Sequence, residues 1–106
     1  AGDVVLDIHF NSHRGAHPQT GQGLGTARGV EALVQESAGP EERRLAERLV
    51  RAISAVLPTP NRGVKCETTT RHKRLGILHV APISVLLEVC FIDNPLEMAD
   101  WAEKHP

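Results

Sequence analysis

An α/β fold with a mostly parallel sheet is what this sequence predicts, and two observations carry the prediction. Strand-like and helix-like segments alternate along the chain. The strand-like segments are continuous apolar runs, the kind buried on both faces of a parallel sheet.

Asp3 to Phe10 is the first such strand; Asp7 and His9 are polar members that alternation puts on one face. Asn11 to Arg28 has four glycines, one proline and no apolar run, so it reads as a long irregular loop, a kind that is functional or disordered in compact domains. Its Gly21-Gln-Gly-Leu-Gly25 looks faintly like a phosphate loop, but the next element, Gly29 to Val34, reads as a strand and offers no helix N-terminus to a phosphate.

Ser37 to Leu57 is the clearest helix. Pro40 suits its first turn, Glu41 and Glu42 its positive end, and Pro58 its stop. Leu45, Leu49, Ile53, Val56 and Leu57 form its apolar stripe, and the arginines and Glu47 a solvated face. Pro60 to Gly63 reads as a turn, Val64 to His72 as extended or loop, and Leu75 to Leu78 as an apolar patch too short to assign. Val85 to Ile92, interrupted only by Glu88, is a buried strand. A last helix follows, with Asn94 as cap, Pro95 first, Glu97 completing a capping box, and Met98, Trp101 and Ala102 facing the core.

The 106 residues suit one small domain with a single core. A formal net charge of −1 lacks the basic excess of a nucleic-acid partner. No apolar run reaches membrane-spanning length, which argues against membrane insertion, and no signal peptide is visible. Cys66 and Cys90 do not form a redox pair and read as reduced, Cys90 as a core residue.

The candidate chemistry centres on His9 and Glu88. Both lie toward the C-terminal ends of their strands, where open α/β sheets place ligands. Histidine and carboxylate are the ligand and base types of hydrolytic zinc chemistry. Residue types alone leave His9 as ligand or core histidine, His13 as second ligand or loop residue, and Glu88 as tuned carboxylate or water-facing edge residue. His17, His72, His79 and His105 have no ligand spacing and read as surface residues.

Five segments in order resemble a known family: Asp7-Ile-His9-Phe-Asn11, Gly29 to Val34, Asn61-Arg-Gly-Val-Lys65, Leu75 to Leu78, and Leu87-Glu88-Val-Cys-Phe-Ile-Asp-Asn94-Pro. Together they resemble the zinc-dependent N-acetylmuramoyl-L-alanine amidases of autolysins and phage endolysins, the last segment being closer to the endolysin branch. The resemblance implies a twisted, mostly parallel sheet with helices on both faces, zinc as cofactor and peptidoglycan as substrate. It implies hydrolysis, at the bacterial cell wall, of the amide between N-acetylmuramic acid and the stem peptide's L-alanine. By resemblance His9 is a zinc ligand and Glu88 the catalytic base, which takes a proton from the attacking water and gives it to the leaving amine. The loop after Asn11 would border the substrate groove.

The family's first zinc-histidine motif and its second ligand, a glutamate, both lie upstream of the His-x-Asn segment and do not occur here. The expectation is therefore that residues 1–106 are the C-terminal part of one amidase catalytic domain, with a sheet lacking its N-terminal strands and the missing N-terminal part as a partner. The alternative is a catalytically incomplete fragment or pseudoenzyme that binds cell wall or a partner without hydrolysis.

Overall fold

The computed structural model describes residues 3–57 and 59–104, with the side chains of Asp100, Glu103 and Lys104 excepted. The readings of Pro58 as a helix stop and His105 as a surface residue lie outside the described residues.

Four strands make one sheet: β1 (Val4–Asn11), β2 (Val30–Val34), β3 (Asn61–Cys66) and β4 (Ile83–Phe91), in spatial order β1-β4-β2-β3. β1 runs parallel to β4 and β2 parallel to β3, whereas β2 and β4 are antiparallel. The sheet is thus mostly parallel, as predicted, with one reversal between its two interior strands. α1 (Pro40–Val56) and α2 (Pro95–Lys104) complete the α/β fold, and short 3-10 turns occupy Glu67–Thr69 and Gly76–His79.

One face of the sheet carries the main core. Val30, Ala32, Val34, Val85, Leu87 and Val89 pack there with Ala46 and Val50 of α1. Leu45, Leu49 and Ile53 flank that contact, but Val56 is 61 % exposed, so the buried stripe turns through Ala46 and Val50 instead. Glu42 is buried too: its carboxylate accepts the Ser84 amide at 2.9 Å and ties the first turn of α1 to the start of β4. On the opposite face a smaller cluster joins Leu33 and Leu86 to Leu78, so the short Leu75–Leu78 patch is the cover of that face.

The expected turn at Pro60 to Gly63 is instead the start of β3. Gly63, at φ +81°, sits where the β2–β3 register slips by one residue, a bulge that lets a turn-like sequence remain in the ladder. Asn94 caps α2 as expected, its Oδ1 accepting the Leu96 and Glu97 amides. Glu97 does not close a capping box; it is buried and accepts the Gly29 and Phe91 amides and the Thr59 hydroxyl. Ala102 is exposed, while Met98 and Trp101 pack on the core.

β1 is an edge strand. Its alternate residues Val4, Leu6, Ile8 and Phe10 are exposed, although Phe10 meets Trp101 edge-on at 5.3 Å. Among the described residues no helix is long and apolar enough to cross a membrane.

Candidate active site

The polar groups gather on the sheet face opposite α1. Residues in register across a sheet share a face. Glu88 pairs with His9 of β1 on one side and with Glu31 of β2 on the other. Leu86 and Leu33, one pleat away, pair with each other and are covered by Leu78, so the apolar cover stops where the charged row begins.

Glu88 is half-buried, and among the described residues its Oε2 is buried without a hydrogen-bond partner. Desolvation raises its pKa, His9 opposes this, and the charges of Glu31 and Asp7 add to the rise. His9 is exposed, with Nε2 2.7 Å from Asp7 Oδ2.

Glu31 has the opposite surroundings. Its carboxylate, 7 % exposed, accepts from Asn11 Nδ2 at 2.8 Å and pairs with Lys65 Nζ at 2.7 Å and Arg62 Nε at 3.5 Å. The guanidinium of Arg62 also lies over the Phe91 ring at 5.0 Å. Asn11 in turn accepts the Ser12 amide, which fixes the point where β1 gives way to the loop. A cleft of about 700 Å³ opens over this row, with Asn11, Glu31, Lys65, His72 and Glu88 among its lining residues.

The loop after β1 is anchored by Asp93. Its Oδ2 accepts the amides of His13, Arg14 and Gly15 and the Ser12 hydroxyl. Burial pushes this carboxyl up, but those donors outweigh it and hold the pKa below the usual range. Two glycines of the faint phosphate loop serve this contact: a Cβ on Gly23 or Gly25 would collide with Asp93. His13 stays a loop residue, its Nδ1 accepting the Thr26 and Ala27 amides. His17 likewise accepts within its own turn. His79 is not a simple surface residue, because its Nε2 pairs with the buried Glu67 at 2.9 Å.

The structure brings His9 and Glu88 side by side. It adds Glu31, Lys65 and Asp93, which the sequence reading did not single out, although all three lie inside motifs it quoted. Among the described residues no group of three or more His, Cys, Asp or Glu could hold a metal ion. A catalytic zinc takes three protein ligands and an open position, so the described residues do not by themselves fit one.

The family model for N-acetylmuramoyl-L-alanine amidase matches residues 1–105. The chain belongs to that family. No curated protein matches it. Solved structures agree in fold. The catalytic domain of the CD27L endolysin targeting Clostridia difficile superposes with a TM-score of 0.70 at 24 % identity, over 95 % of this chain and 46 % of that one. CwlV, an N-acetylmuramoyl-L-alanine amidase from Bacillus (Paenibacillus) polymyxa var. colistinus, gives 0.64 at 21 %, over 92 % and 45 %. Cwp6 from Clostridium difficile gives 0.70 at 27 %, over 96 % and 15 %. This amidase-family chain therefore spans about half the length, or less, of these structures.

Proposed function

We propose that this chain is the C-terminal part of a peptidoglycan amidase domain, which cleaves the bond between N-acetylmuramic acid and L-alanine with Glu88 as general base. The observation that carries the reading is the environment of Glu88. A half-buried carboxylate with a raised pKa, and with a buried oxygen that lacks a partner among the described residues, lies in register with His9, in a chain that belongs to the amidase family. A raised pKa brings a carboxylate closer to neutral pH, where a general base works best. Glu88 would hold the attacking water with the part of its carboxylate that lines the cleft, accept its proton and return it to the leaving amine.

The reading includes zinc, with His9 as one ligand and the others outside the described residues. The described residues do not by themselves complete that site. Peptidoglycan is the proposed substrate and the bacterial cell wall the place of action. The competing reading, a fragment or pseudoenzyme that binds without hydrolysis, is favoured by the chain's spanning about half the length of its structural neighbours.

The test is Glu88→Gln in the full polypeptide containing this chain, scored by release of L-alanine-terminated peptides and by bound zinc. Turnover should fall by about a hundred- to ten-thousandfold, the usual weight of a general base, while zinc content holds. Near-parent cleavage by the variant would refute the role of Glu88. A parent protein that holds no stoichiometric zinc and releases no peptide would favour the competing reading.

A further inference from the structure

Two carboxylates flank each other in the cleft, and their surroundings differ. Among the described residues Glu88 has an unpartnered oxygen, while Glu31 is held by a lysine, an arginine and an asparagine that come from two other strands. Lys65 is the cation of that group that lines the cleft, and it has donors to spare. An ammonium has three N–H donors, and among the described residues Lys65 pairs with Glu31 alone. Its side chain is 36 % exposed and lines the cleft together with His72 and Glu88. The salt bridge to Glu31, itself buried at the floor, stops this long side chain from swinging out to solvent.

We propose that Lys65, held in place by Glu31, is the residue that recognises a carboxylate of an acidic peptide lying in the cleft beside Glu88. The proposal rests on the amidase reading and adds a specificity to it. A carboxylate so close to Glu88 and Glu31 would otherwise meet like charge, so a fixed cation is what makes an acidic peptide acceptable there. Glu31 is on this view a positioning residue. Its two cationic neighbours divide the work, Arg62 being stacked on Phe91 and Lys65 facing the cleft.

The experiment uses the full polypeptide containing this chain, in the Glu88→Gln background so that binding is read without turnover. Two muramoyl-peptides are compared by calorimetry: one with a free α-carboxylate on the residue after L-alanine, and the same peptide with that carboxylate amidated. The free acid should bind about tenfold more tightly, the weight of one charge-assisted hydrogen bond. Lys65→Met should bring the ratio of the two affinities to about one, and Lys65→Arg, which keeps the charge, should preserve most of it. Thermal unfolding of each variant establishes that it is folded, and Lys65→Arg keeps the question answerable if Lys65→Met is not. Equal affinities for acid and amide in the Lys65-containing protein, or a ratio untouched by Lys65→Met, would overturn the proposal. Failure of the amidase reading shows separately: the protein with Glu88 intact would then cleave neither peptide. Cleavage of both without preference would refute only the role of Lys65.

Discussion

Glu67 offers a perturbation whose size and pH dependence both follow from the structure. It is 2 % exposed and accepts the Glu36 amide at 2.8 Å, the Leu75 amide at 2.9 Å and His79 Nε2 at 2.9 Å, joining the exit of β2 to the segment that covers the second face. Desolvation pushes its pKa up, but the His79 and backbone hydrogen bonds outweigh this and hold it at about 2 rather than 4.5. By linkage that difference corresponds to a ceiling of about 3 kcal/mol. Screening by nearby water, with His79 about a quarter exposed, reduces the expectation to about 1–2 kcal/mol. Because the folded pKa lies below the unfolded one, the contribution is complete above about pH 5 and fades as pH falls toward 2. Glu67→Gln removes the charge and turns an NH2 group toward one of the two amides. Urea unfolding of parent and variant, in the full polypeptide, should show a gap of about 1–2 kcal/mol at pH 7 that closes between pH 5 and 2. A gap of the same size at pH 7 and pH 2, or no gap at pH 7, would refute the reasoning.

Two further predictions concern the strand end beside the cleft. Asp93→Ala removes the acceptor of three successive amides, so hydrogen exchange at His13, Arg14 and Gly15 should quicken by about tenfold or more, with β4 unaffected. Equal exchange in parent and variant would mean that the loop holds its shape without Asp93. Cys90 is buried, and burial together with the charge of Glu97 pushes its thiol up to about 12, whereas Cys66 is partly exposed. Iodoacetamide at pH 8 should therefore label Cys66 well before Cys90, as peptide mass mapping would show. Comparable labelling would mean that Cys90 is not shielded in the folded protein.

Local signals were enough for most of the elements. The apolar runs of β1, β2 and β4, the span of α1 and the Asn94 cap of α2 were all legible, because period, capping and burial are properties of short segments. So were the alternation that places Asp7 and His9 on one face and the isolation of Glu88 in an apolar run. What failed locally was β3, where Asn61-Arg-Gly63 looks like a turn: a ladder with a bulge can absorb a glycine that an isolated strand could not.

The sequence by itself determined that His9 and Glu88 would meet if their strands ran parallel, since each lies late in its own strand. Only the tertiary structure decided their neighbours. Glu31 sits early in β2, and an all-parallel sheet would have put it at the opposite edge from Glu88. The antiparallel pairing of β2 with β4 reverses that strand and sets Glu31 directly across from Glu88. The parallel pairing of β2 with β3 then brings Lys65 and Arg62 to its carboxylate. Strand direction is settled by the connections and by the burial of the whole sheet, which no window of the sequence contains. The same holds for Asp93, Glu97 and Glu67. Each is a charged residue in sequence, and each is buried because backbone amides from distant segments converge on it.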